Sequence, residues 1–291
     1  MCKRKKKMKE FGGRPAGHKK AAWLLVACLL ALLVAGALQS CRRKDGLTPE
    51  KKTAVVKIGF DSFEPYSSVD ENGNYVGIDI ELATEAFSRM GYQAEFQMIP
   101  WEEKARLLAE GSLDCLWSCF TMTGRENDYE WAGPYLYSRQ VVAVRSDSDI
   151  RTLQDLAGKV VVVQSTTKPE ELFLNAEQNG LPRLRRLYSL QNRDLLYTTL
   201  LKGYADALAA HESAIRQFMK DYSVEYRILD EPLMMARLGV AFAKERGDDL
   251  PQQLTEVFQE MLADGTVRQI VSRYLDDPGH YLDGLEDGTH A

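Results

Sequence analysis

From Ala54 onward the chain alternates short β-rich runs with helical patterns, and that alternation is what most limits its fold. Val55–Phe60 reads as a strand, Asp70-Glu-Asn-Gly-Asn74 as a hairpin turn, and Ile78–Met90 as a helix. Its apolar residues Ile80, Leu82, Ala83, Ala86 and Phe87 share one face, and Gly91 ends it. Strands follow at Ala94–Ile99, Ser112–Cys119 and Gln140–Arg145, with a helix at Trp101–Glu110. A second set begins at Thr152: a short helix Leu153–Ala157, a very apolar strand Val160–Gln164, and a helix Pro169–Glu177. Then come strand Leu184–Tyr188, helix Gln191–Lys202, strand Ala205–Ala210, helix Ser213–Tyr222 and strand Leu238–Ala243. Leu250–Ala263 and Val267–Tyr274 read as helices, and residues 277–291 as a loose polar tail. The expected class is α/β, with helices packed on a largely parallel sheet.

Charge separates the start of the chain from its body. Residues 1–40 hold nine Lys/Arg and one Glu, so the net charge of −5 conceals a body with 28 basic and 41 acidic side chains, or −13. Such a body repels phosphate backbones, which argues against a nucleic-acid partner. The basic run Lys3–Lys7 followed by the apolar segment Ala21–Leu38 has the form of a secretory signal. An uncleaved anchor is the competing reading of that segment. Leu38-Gln39-Ser40-Cys41 resembles a bacterial lipobox, which implies a signal peptide over 1–40, lipid on Cys41 and a tether over 41–53. Either reading places the body outside the cytoplasmic membrane.

Only Cys115 and Cys119 remain in the body. On a strand they would lie about 13 Å apart, beyond disulfide reach, and read as two buried thiols. Neither His nor further Cys stands near at ligand spacing, so no metal or cofactor is expected. Two stretches offer anion chemistry. Phe120-Thr-Met-Thr-Gly-Arg-Glu126 supplies the hydroxyls of Thr121 and Thr123 and the planar donor fork of Arg125. Gln164-Ser-Thr-Thr-Lys-Pro169 joins an apolar strand to a helix, where free N–H groups and Ser/Thr side chains can hold an oxyanion. Taken singly, the first also reads as a surface loop and the second as helix capping.

Their order along the chain says more. Ile58-Gly-Phe-Asp-Ser-Phe-Glu-Pro-Tyr66, Gly73-Asn-Tyr-Val-Gly-Ile-Asp-Ile-Glu81, Pro100-Trp101, Gly111-Ser-Leu-Asp114, the Thr121–Arg125 loop, Gly133-Pro-Tyr-Leu-Tyr137 and Asp264-Gly-Thr266 follow at compatible distances. This set, over about residues 54–276, resembles the extracellular solute-binding proteins of amino-acid ABC transporters (family 3), which have the two-lobe type II periplasmic-binding-protein fold. The resemblance implies two crossover strands, near Tyr137–Val142 and Ala236–Ala241. Lobe one would then be 54–139 and 240–276, and lobe two 140–239. It implies that Arg125 grips a ligand carboxylate beside Thr121, with Thr166 and Thr167 completing that site from the other lobe. Phe63 would stack on the ligand and Trp101 would line the pocket.

The sequence departs from that pattern in three places. Gly124 shortens the loop before Arg125 by one residue, Ser165 replaces a glycine, and His211 stands where the family has the aspartate that accepts the ligand's α-amino group. A neutral imidazole can accept one hydrogen bond but brings no opposing charge. Glu212 would point to the other face of a regular strand, and Lys168 adds a cation near the carboxylate end. The implied function is capture of a small carboxylate-bearing solute by a monomeric, lipid-anchored protein that closes on it and delivers it to an ABC permease. Two other classes share the fold. One is a cyclohexadienyl-dehydratase-like enzyme using His211 or Glu212 as acid or base, although no motif demands a catalytic residue. The other is the ligand-sensing subunit of a receptor.

Overall fold

The computed structural model describes residues 54–285; the signal segment, Cys41 and the tether lie outside them. Among the described residues no helix is long and apolar enough to cross a membrane. The strands are β1 (Ala54–Phe60), β2 (Ser68–Val69), β3 (Tyr75–Val76), β4 (Tyr92–Met98), β5 (Cys115–Leu116), β6 (Glu130–Arg145), β7 (Val160–Gln164), β8 (Arg186–Leu190), β9 (Ala207–His211), β10 (Tyr226–Ile228) and β11 (Met234–Phe242). The helices are α1 (Ile78–Arg89), α2 (Lys104–Ala109), α3 (Lys168–Leu174), α4 (Asp194–Leu201), α5 (Glu212–Tyr222), α6 (Leu250–Ala263), α7 (Thr266–Val271) and α8 (Gly279–Leu282).

The main sheet runs β4-β1-β5-β11-β6-β9-β7-β8, with β10 also on β6, while β2 and β3 form a separate hairpin. Each flank is parallel: β4, β1 and β5 on one side, β9, β7 and β8 on the other. Two antiparallel strands, β6 and β11, occupy the middle. The sixteen residues of β6 span about 50 Å. Over Glu130–Gln140 this strand pairs with β11, and over Gln140–Val144 with β9, so it changes partner at Gln140.

The core divides accordingly. Trp117, Tyr135 and Phe258 centre one cluster, built from residues up to Leu136 of β6, from β11 and from the helices after it, with Ala214 of α5 added. Residues 141–229 supply two further clusters, one on each face of their sheet. Period two explains why the first four residues of β7 are all apolar: Val160 and Val162 enter one cluster, Val161 and Val163 the other.

Several elements differ from the sequence expectation. The strand expected over Ser112–Cys119 is reduced to Cys115–Leu116. Cys119 takes a positive φ of 48°, and its N–H donates to the buried Asp79 carboxylate at 2.6 Å. Both thiols are buried and free, and burial raises their pKa values. Strand β6 begins ten residues before the expected Gln140 because Gly133-Pro134 disguises it. The register with β11 shifts between Leu238 and Val240, so Pro134 falls at an irregularity where a missing N–H does little harm. The expected loose tail needs correction over its described part, residues 277–285: α8 lies within it, and Tyr281 and Leu282 are buried in the first cluster, while residues 286–291 lie outside the described residues. Burial of Tyr281 and Leu282, with Leu285 packed beside them, holds a segment that composition alone reads as free.

Candidate ligand-binding site

The parallel strands of both flanks end at one narrow cavity of about 40 Å³ between the two core regions. Phe63, Trp101, Thr121, Arg125, Thr167 and His211 all line it. Thr166 does not line it. Its φ is 57°, its N–H donates to Glu170 at 2.6 Å, and its hydroxyl accepts from Lys104 at 2.9 Å.

One end is cationic. The loop after Phe120 turns back so that Arg125, 12% exposed, lies over the Phe120 ring with Nη2 3.7 Å from Glu171. Burial lowers its pKa. Lys168, at the start of α3, donates to the Gly124 carbonyl at 3.3 Å and to Glu171 at 2.6 Å. Gly124 is required here: its φ is +75°, and a Cβ would lie 2.6 Å from Lys168 Nζ. Lys104, 4.9 Å from the Trp101 ring centre, has its pKa lowered to about 8 by burial and by Arg125. Trp101 packs edge-on against Phe120 at 5.1 Å.

The other end holds charge that is already paired. Arg193 lies 3.2 Å from the centre of the Phe63 ring. Its guanidinium donates to Gln164 Oε1 and lies 3.3 Å from Asp61. Beside Phe63, at 5.7 Å between ring centres, is His211. His211 Nε2 accepts from Gln140 Nε2 at 2.6 Å, and Nδ1–H donates to Ser138 Oγ at 2.8 Å. Burial first, then Arg193, lowers its pKa to about 3, so the imidazole is neutral. Among the described residues Gln140 Oε1 is buried without a partner. Glu212 is committed elsewhere, to Arg139 at 2.9 Å and Arg216 at 2.6 Å, and lines a different cavity.

Contacts across the cleft hold the two regions together. Lys104 reaches Thr166, Ser165 Oγ donates to Glu102 at 3.2 Å, and Gln164 Nε2 donates to Asp61 at 2.9 Å. With the Arg193–Asp61 pair these describe a closed arrangement.

The profile of the bacterial extracellular solute-binding proteins, family 3, matches residues 56–277. The chain belongs to that family. A curated relative, the histidine-binding periplasmic protein of Escherichia coli strain K12, is 32% identical over 76% of this chain and 87% of its own length. Among solved structures, a histidine-bound ABC-uptake substrate-binding protein from Streptococcus pneumoniae superposes with a TM-score of 0.71 at 23% identity, covering 76% of this chain and 92% of the other. The ancestral amino-acid-binding protein AncCDT-1, a precursor of cyclohexadienyl dehydratase, gives 0.67 at 24%, covering 76% and 95%. The family's type II periplasmic-binding-protein fold accounts for the strand order and the paired crossings.

Among the cavity residues that sequence reasoning did not assign to the site, four carry hydroxyl, amide or guanidinium groups: Ser118, Gln140, Gln164 and Arg193. Gln140 and Gln164 carried a usable signal, since each is a polar residue bounding an otherwise apolar strand segment. Arg193 carried none, because it stands in a polar run that any surface would tolerate, and Ser118 carried none, because a single hydroxyl in an apolar run is common in a core.

Proposed function

We propose that this chain captures a small carboxylate-bearing solute, an amino acid or related acid, outside the cytoplasmic membrane and delivers it to the permease of an ABC transporter. The observation that carries this reading is that Arg125 and Thr121 from one core region share a cavity with Thr167 and Lys168 from the other. A carboxylate placed among them is held from both sides, so binding favours the closed state over the open one. In this reading residues 54–139 and 240–276 form lobe one and 140–239 lobe two. The protein is monomeric and held to the membrane by lipid on Cys41. It binds without turnover: both His211 ring nitrogens are engaged and Glu212 faces another cavity.

A thermal-shift panel of amino acids and small carboxylic acids identifies binders; at about 100 times Kd a binder stabilises by roughly 2.7 kcal/mol. Calorimetry with the best of them should then show binding abolished in Arg125→Ala, and retained affinity would sink the assignment. Cys41→Ser should release the protein from the membrane fraction, and an unmodified Cys41 in mass spectra of the wild type would remove the anchor.

A further inference from the structure

The chemistry around the cavity is one-sided. Three cations line it, Arg125, Lys168 and Arg193, and its described lining holds no Asp or Glu. Each carboxylate nearby is already engaged. Asp61 is held by Arg193 and Gln164, Glu171 by Lys168, and Asp79 by the Cys119 N–H and the Tyr135 hydroxyl. A ligand ammonium would enter a positive field with no opposing charge to receive it.

His211 does not repair this. Both ring nitrogens already have partners, so no lone pair is left for a ligand donor, and the ring carries no negative charge. What the cavity does leave open is neutral. Gln140 lines it, and Gln140 Oε1 is buried with no hydrogen-bond partner among the described residues, an acceptor that needs a donor. A hydroxyl satisfies that atom without bringing charge into the cationic cavity.

We infer that the solute is a carboxylate bearing an uncharged hydroxyl where an amino acid bears its ammonium, that is, a 2-hydroxy acid. The inference rests on the capture reading above and narrows it. In it the carboxylate meets Arg125, with Thr121 and Thr167 beside it, and the hydroxyl donates to Gln140. Neutral His211 fixes the Gln140 amide through the 2.6 Å contact and acts as a positioning residue.

Matched pairs that differ only in this group test the inference in the wild-type protein: imidazole lactate with histidine, phenyllactate with phenylalanine, 2-hydroxyglutarate with glutamate. Calorimetry should give, in at least one pair, a hydroxy acid bound tenfold or more tighter than its amino acid. His211→Asp should reverse that preference by restoring a carboxylate, and Gln140→Leu should erase the hydroxy acid's advantage while leaving carboxylate binding measurable. The wild-type comparison needs no variant, so a misfolded variant does not blunt it. Amino acids bound as tightly as, or tighter than, their hydroxy partners would overturn the inference and leave capture standing. No binding by either member of any pair, together with no binder in the thermal-shift panel, would overturn both.

Discussion

The two ends of the cavity use positive charge differently. At one end Arg125 and Lys168 share a single half-exposed carboxylate, Glu171, and the nearer of its contacts goes to Lys168. At the other end Arg193 is sandwiched on Phe63 and held by Gln164 and Asp61, with no exposed partner among these contacts. The first arrangement leaves charge available to a ligand, whereas the second uses charge to join the two core regions. A cation in a pocket is therefore a binding group only when its own partners leave it incompletely neutralised.

Substitution at each end should separate these roles. Arg125→Ala should have the largest effect on binding, at least a hundredfold loss of affinity by calorimetry, with the melting temperature of the unliganded protein nearly unchanged. Arg193→Met should do the reverse in kind. It leaves Asp61 and Gln164 without their donor, and unfolding in urea should show a loss of about 2 kcal/mol. Equal effects of both variants on unliganded stability would erase the distinction.

Acid should sharpen it further. His211 has a folded pKa of about 3 against the usual 6.5, so above pH 6.5 its neutral form costs nothing. As pH falls from about 6.5 toward 3, the unfolded chain takes up a proton that the folded chain refuses, and stability declines. Asp79 works in the opposite sense. Burial lifts its folded pKa to about 7 from 3.8, so its contribution is complete below about 4 and is lost as pH rises toward 7. Melting curves against pH should lose the acid-side slope in His211→Gln and the neutral-side slope in Asp79→Asn. A slope unchanged in either variant would assign it to other groups.

Smaller effects belong to the cationic end. Gly124→Ala places a methyl against Lys168 and strains a positive φ, and should cost about 1 kcal/mol with a several-fold loss of affinity. Glu171→Gln should raise affinity for a carboxylate by a few-fold, since Arg125 and Lys168 then lack their resident anion. A loss of affinity instead would make Glu171 part of the site.

What the sequence made legible follows from physics that acts locally. Helix α1 was readable because its buried face repeats at helical spacing, and β7 because a strand covered on both faces carries a run of valines, Val160–Val163. Of the seven ligand contacts that the ordered motifs proposed, six line the cavity. Thr166 could not be separated from Thr167, because the positive φ that turns it toward Lys104 depends on contacts some sixty residues away. The early part of β6 was hidden for a similar reason, since Gly133-Pro134 is tolerated only against an irregularity in β11. Arg193 was invisible because nothing near it in sequence records Phe63 or Asp61.

The passage of β6 and β11 through the centre of the sheet also sets an order of assembly. Clusters drawn from residues 141–229 are contiguous in the chain and can close as soon as that segment is made. The cluster around Trp117 instead needs Leu254, Phe258, Val267 and Leu282, which arrive more than a hundred residues later. Closing so long a loop is slow, so α1 and β1 must wait with their apolar faces uncovered until the last helices appear. The first residues of the body are thus the last to be finished, and a chain truncated before α6 would be left with an open half that no amount of ligand could complete.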